Sequence, residues 1–169
     1  MKMLTVFILV CAMVALARGD AENGLFKRSS HCPTDSITFR GRCFFYVSAK
    51  MTWGDAEKFC LTNRAHLASV HSAEEYYSIQ RMIKNLTQGL GRTWLGGSDC
   101  QNEGVWLWSD GTPFDYRHKG KFDNRWWRQH CLQMNYGEQN LWDDVQCSSK
   151  LPFVCAKETG IEFLSNAKV

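Results

Sequence analysis

No Cys-x-x-Cys pair occurs in this 169-residue chain, although it holds eight cysteines. Common structural zinc sites draw their ligands from such pairs, and His31 beside Cys32 or His130 beside Cys131 makes a poor replacement set. Only one long apolar run is present, Leu4 to Leu16, too short for a bilayer span and followed by no stop-transfer pattern, so no membrane span is expected. Internal repeats and low-complexity stretches are missing, and the mixed apolar and aromatic composition excludes disorder for most of the chain, leaving one domain with one modest core. There is no basic helix interleaved with aromatic platforms, which removes the usual footprint of a nucleic-acid partner. No Ser, His and Asp arrangement stands out, and neither His118 nor His130 has a glycine-rich or oxyanion context that would make Cys100 a nucleophile. A catalytic site is therefore not expected.

What is there begins with an address. Lys2, the apolar run and the small residues Ala15, Ala17 and Gly19 read as a secretory signal peptide over 1–19. Residues 20–28 are polar and end in the dibasic pair Lys27-Arg28, either a processing site or a solvated tail. Removing 1–28 takes away four basic and two acidic residues, leaving 16 and 15, so the net charge drops from +3 to +1. The basic balance belongs mostly to the discarded segment. Seven cysteines then remain in an oxidising, extracellular setting where disulfides persist. Seven is odd, so one is left over.

Along the chain, Ile37 to Phe39 and Cys43 to Val47 flank Arg40-Gly41 as a short hairpin that a Cys32 to Cys43 bond would staple. Thr52 and Asp55, then Ser72 and Glu75, stand at capping-box spacing and open helices over 52–61 and 72–86. In the second, Tyr76, Ile79, Ile83 and Leu86 step by three and four, which predicts one buried face. After Trp94 the runs Val105 to Trp108, Leu132 to Asn135, Leu141 to Val145 and Phe153 to Lys157 are short and β-like, with turn-rich segments between them. Two helices followed by short strands and long loops give an α+β domain, expected over 29–157 with a C-terminal tail over 158–169.

The chemistry concentrates late. Asp143 and Asp144 follow Trp142, and the loop Gly120-Lys121-Phe122-Asp123 runs into Cys131. This is half of an oxygen-rich cation site with a lysine where another oxygen ligand would stand. Calcium needs several carboxylate and carbonyl oxygens converging at close range, and an ammonium among them opposes it by like charge.

Trp94-Leu95-Gly96-Gly97, Trp106-Leu107-Trp108-Ser109-Asp110-Gly111, Trp142-Asp143-Asp144 and Phe153-Val154-Cys155, with the stretch from Cys60 through His66-Leu67-Ala68-Ser69-Val70 to Glu74, resemble a C-type lectin-like domain from Cys32 to Lys157. Within that family the chain is most similar to small secreted fish lectins, a group that includes venom galactose-binding lectins and type II antifreeze proteins. The resemblance implies a disulfide-stapled fold with Cys60 bonded to Cys155, Cys131 to Cys147 and Cys32 to Cys43. It also implies that Trp94, Trp106, Trp108 and Trp142 are core residues.

Sugar-binding members carry Glu-Pro-Asn or Gln-Pro-Asp in the long loop, an oxygen-bearing residue before the cysteine and Trp-Asn-Asp on the next strand. By resemblance Lys121, Phe122 and Asp123 take the places of the tripeptide, Gln129 the place before Cys131, and Asp143 and Asp144 the strand pair. The implied metal set is Asp123, Gln129, Asp143 and Asp144, with a calcium site weakened by Lys121 and by loss of the proline at Phe122. The expected alternative is a calcium-free fold in which Lys121 pairs with Asp143 or Asp144. The expected function is carbohydrate binding of galactose type through Lys121, Asp123, Trp126, Trp127, Gln129, Asp143 and Asp144, serving agglutination, venom or innate defence toward glycans on cell-surface or secreted glycoproteins. Ice binding, and a calcium-independent effector binding a protein surface, are the rival expectations. Within Arg125-Trp126-Trp127-Arg128, an indole suits the apolar face of a sugar and the guanidiniums suit acidic groups. One tryptophan as core and the other as a dimer contact is the competing reading. Cys100, outside the three implied pairs, is a candidate for an interchain bond in a homodimer, or else a buried thiol. Asn85-Leu86-Thr87 is an N-glycosylation acceptor.

Overall fold

The computed structural model describes residues 32–125 and 128–159. The expected signal segment 1–19, the segment 20–28, Trp126, Trp127 and residues 160–169 lie outside the described residues. In chain order the elements are β1 (Ile37–Phe39), β2 (Arg42–Met51), α1 (Trp53–Thr62), β3 (His66–Leu67), α2 (Ala73–Thr87), β4 (Thr93–Ser98), β5 (Leu107–Trp108), β6 (Gly120–Lys121), β7 (Cys131–Tyr136), β8 (Leu141–Val145) and β9 (Leu151–Glu158). The fold is α+β, two helices against a sheet whose main path runs β1-β2-β9-β4-β7-β8-β6, with β3 on β9 and β5 on β4.

Both helices begin where side-chain capping supplies an acceptor for orphan amides. The Asp55 amide donates to Thr52 Oγ1 at 3.3 Å and the Glu75 amide to Ser72 Oγ at 3.2 Å. Glu75 does not return the second half of the box to the cap residue. Its carboxylate accepts from the His71 amide at 2.7 Å and from Arg42 at 2.9 Å. It is thereby turned inward and buried against β2. The α2 stripe holds at Tyr76, Ile79 and Ile83 but not at Leu86, which is 43 % exposed. Residues 84–88, the last turn of α2 and its cap, are all exposed, so the expectation of a core-facing Leu86 is corrected. Asn85 is exposed beside it.

Strand β4 escaped the periodicity reading because all six of its residues are buried, so no polar face alternates with an apolar one. Its glycines permit close approach. A Cβ on Gly96 would lie 2.5 Å from the Leu67 carbonyl oxygen and 2.8 Å from Ser109 Oγ. The strand expected at Val105 to Trp108 shortens to Leu107–Trp108, with Val105 and Leu107 about half exposed.

Trp94, Trp106, Trp108 and Trp142 are all buried. Trp142 lies between α2 and the long loop, edge-on to Tyr76 and Trp108 at centroid distances of 6.1 and 5.9 Å. A second apolar cluster surrounds the Cys60–Cys155 bond between α1 and β9. The other two disulfides, Cys131–Cys147 and Cys32–Cys43, also join as the resemblance implies. Strand β9 extends to Glu158, and Thr159 is tied back to the hairpin turn, its amide and hydroxyl both donating to the Gly41 carbonyl at 2.8 Å.

Candidate functional site

Strand β8 delivers both acidic residues, and the two-residue period of the strand sends them different ways. Asp143 sits opposite Gln133 of β7 and accepts from its Nε2 at 2.7 Å. Asp144 turns into the long loop instead. One of its oxygens accepts from the Asp123 amide at 3.1 Å and the other from the Asn124 amide at 2.7 Å. The loop is further knitted by Asn124 Oδ1, which accepts from the Gln129 amide at 3.1 Å, and by Gln129 Oε1, which accepts from the Arg125 amide. Asn124 sits at φ +37°, a left-handed conformation that asparagine tolerates better than most residues.

Strand β6 brings the loop to β8 in parallel, with Gly120 level with Trp142 and Lys121 level with Asp143. Gly120 is needed there, because a Cβ would meet the Trp142 carbonyl oxygen at 2.7 Å. Lys121 nevertheless pairs with Asp123, Nζ to Oδ2 at 3.3 Å, rather than with the expected Asp143 or Asp144. Arg125 Nε grips the same Asp123 oxygen at 3.0 Å. The correction has a physical basis. Asp144 has both oxygens committed to backbone amides and Asp143 is 5 % exposed, so the solvent-facing Asp123 is the carboxylate an exposed ammonium reaches without desolvation.

A pocket of about 150 Å3 collects Lys121, Asp123, Arg125, Gln129 and Asp143, with Arg92 on its wall. Asp144 lies outside its lining. Burial pushes the Asp143 carboxyl up to about 6, the Gln133 hydrogen bond and Lys121 pulling the other way while Asp144 and Asp123 add repulsion. Burial also raises Asp144, against the two loop amides that favour its charge.

As arranged, this donor set does not fit calcium. Asp123 is clamped by two cations, both Asp144 oxygens and the Gln129 oxygen accept from backbone amides, and Asp143 is held by Gln133 with a raised proton affinity. A hard cation requires six to eight oxygens turned toward it. Arg92 and Gln133 were missed in the sequence. Gln133 stands directly across the ladder from Asp143, a register that only the fold reveals. Arg92 carries no local signal.

Cys100 is free and exposed, with its sulfur 3.6 Å from Cys147 Sγ and 3.8 Å from the His130 carbonyl. His130 itself bridges Asp99 and Glu103 at 3.1 and 3.3 Å. No described helix is long and apolar enough to cross a membrane.

The model of the lectin C-type domain matches residues 49–157. The chain belongs to the C-type lectin domain family. It is 37 % identical to a type-2 ice-structuring protein of Brachyopsis segaliensis, covering 92 % of this chain and 98 % of that one. It is 35 % identical to the galactose-specific lectin nattectin of Thalassophryne nattereri, covering 90 % and 94 %. Among solved structures it resembles a Ca2+-dependent type II antifreeze protein in its Ca2+-free form, with a TM-score of 0.69 and 37 % identity over 75 % of this chain and 99 % of that one. A calcium-independent type II antifreeze protein gives 0.67 and 36 % over 76 % and 95 %. These C-type lectin relatives are lectins and ice-structuring proteins, not enzymes. Calcium dependence and calcium independence thus both occur on this frame.

Proposed function

We propose that this chain is a secreted, calcium-independent carbohydrate-binding protein that takes a galactose-type sugar at the Lys121 to Asp144 pocket. The observation that carries the reading is the pairing of Asp123 with Lys121 and Arg125 at 3.3 and 3.0 Å. Two cations stand where a metal's charge would otherwise hold the loop, and their remaining N–H donors, with the second oxygens of Asp123 and Asp143 as acceptors, offer the mixed donor and acceptor edge that vicinal hydroxyls need. The same reading assigns Cys100 as the covalent link between two copies, so that paired weak sites crosslink glycans on cells by multivalency. Exposed Asn85 is assigned as a glycan acceptor on the secreted form.

Erythrocyte agglutination with and without chelator, competed by galactose and by mannose, tests the reading. Agglutination that survives chelator and yields to galactose is expected. Loss on chelation would place calcium back in the site. Non-reducing electrophoresis is expected to show a dimer that Cys100→Ser abolishes, and monomer alone rejects the link. Ice binding is favoured by the equal closeness of the ice-structuring relative. Against it stands the loop's load of Arg117, His118, Lys119, Lys121 and Arg125, which disrupts the sparsely charged face such binding needs. Thermal hysteresis in purified protein would establish that second reading instead.

A further inference from the structure

A second pocket, of about 480 Å3, shares no lining residue with the first. Small-ligand sites commonly span about 300–1,000 Å3. Its wall is built by Tyr77 of α2, the loop segment Tyr116-Arg117-His118-Lys119, and Gln139 and Leu141 at the β7–β8 turn. The segment is anchored, not draped. The Trp142 amide donates to the Lys119 carbonyl at 3.0 Å. The His118 ring stacks on buried Tyr76 at 3.9 Å and lies within 3.1 Å of the Tyr116 hydroxyl.

Among the described residues neither Arg117 nor Lys119 forms an ion pair, although both are exposed. Of the carboxylates around the segment, Asp115 pairs with His71 at 2.7 Å, Glu74 hydrogen-bonds at the start of α2, and exposed Glu138 stands next to Gln139 without an ion pair to either cation. Arg117 is positioned all the same, its guanidinium lying over the Phe122 ring at 3.8 Å. Stacking occupies the face of the guanidinium and leaves its N–H edge available for a two-pronged contact with an oxyanion. Burial, and then Lys119, lowers the proton affinity of His118, so the ring serves as neutral packing beneath two fixed positive charges.

We infer that this pocket is a second ligand site for an anionic pyranose, with Arg117 and Lys119 holding a sulfate or carboxylate group and Tyr77 and Tyr116 flanking the sugar ring. An inorganic anion would need the cations alone. The aromatic flank, with Tyr77 48 % exposed and edge-on to His118 at 6.0 Å, offers the apolar surface that the C–H face of a pyranose covers. A bulk electrostatic account is weak, since the chain without residues 1–28 carries a net charge of only +1. The inference stands independently of galactose binding at the Lys121 to Asp144 pocket.

Titration calorimetry of the full chain with methyl galactoside 6-sulfate, methyl glucuronide, neutral methyl galactoside and sodium sulfate tests it. Binding of at least one anionic sugar is expected, weakened tenfold or more by Arg117→Gln with Lys119→Gln. Tyr77→Ala should weaken the sugar roughly threefold to tenfold, the scale of one aromatic contact, and leave inorganic sulfate unchanged. Asp123→Ala should spare anionic-sugar binding while removing neutral galactoside binding. The proposal is overturned by failure of both anionic sugars to bind, by anionic-sugar affinity unchanged in the Arg117 and Lys119 double variant, by sulfate binding as tightly as the sugar sulfate, or by Asp123→Ala abolishing anionic-sugar binding. Anionic sugars that bind as described while neutral galactoside does not would sink the galactose reading and leave this one standing.

Discussion

Asp143→Asn should stabilise this domain at alkaline pH and leave it nearly unchanged in acid. The wild-type carboxyl is 5 % exposed and has a proton affinity raised from 3.8 to about 6, chiefly by burial. A folded-state value above the unfolded one means the native state holds the proton more tightly. Its stabilising contribution is therefore complete below pH 3.8 and is lost as pH rises through 6. At about 1.4 kcal/mol per pKa unit the difference reaches about 3 kcal/mol, an upper bound because small rearrangements admit water to the ionised group. The amide substitution removes that cost at pH 8. It keeps an acceptor for Gln133 Nε2 and supplies a donor for Gln133 Oε1, a buried atom that has no hydrogen-bond partner. A gain of about 1–3 kcal/mol corresponds to a rise in Tm of roughly 3–9 °C for a domain of this size. Thermal unfolding followed by circular dichroism at pH 4 and pH 8, with chelator present and disulfides intact, reads both values. A rise of equal size at both pH values, or a fall at pH 8, would refute the reasoning. Repetition in millimolar calcium should leave the difference unaltered, and a fall confined to calcium would make Asp143 a metal ligand.

Three further outcomes follow from geometry already described. Asp144→Ala strips the acceptors from two loop amides at about 1–3 kcal/mol each, so trypsin should cut after Lys121 or Arg125 much faster than in wild type, and an unchanged cleavage rate contradicts the anchoring role. Arg42→Ala leaves Glu75 as a buried carboxylate without its cation and should cost about 3–5 kcal/mol in urea unfolding, most of it recovered by adding Glu75→Gln; no recovery would mean that packing rather than charge was lost. Gly96→Ala forces a methyl to within 2.5 Å of the Leu67 oxygen and should lower stability by about 1–3 kcal/mol, whereas Gly54→Ala, with open space around it, should not.

Legibility in the sequence followed how local the physics was. Caps at Thr52 and Ser72 announce themselves within four residues, and both helices begin there. The motif tryptophans and the three disulfides were legible because the family pattern fixes their order. Strand β4 was not, since a strand buried on every side shows no alternation and its glycines mimic a turn. The candidate site divided the same way. That Asp143 and Asp144 share a strand was readable. That one faces a cross-strand glutamine while the other caps a loop depends on register with β7 and on the path of a 20-residue segment. The partner of Lys121 was misjudged for a related reason, because nearness along the ladder to Asp143 counts for less than the desolvation an ammonium avoids by staying with Asp123. Cys100 read as an interchain candidate or else a buried thiol; it is exposed, which corrects the second reading, and its place beside the Cys131–Cys147 bond became visible only in three dimensions.

Thr159 and the Gly41 turn bring the last described residues of the chain to the hairpin where the first ones enter, with Cys32 fastened to Cys43. That hairpin forms one margin of the sheet, and β8 and β6, which carry the loop, form the other. The described fold is therefore entered at Cys32 and left at Thr159 on the margin of the sheet away from β8 and β6.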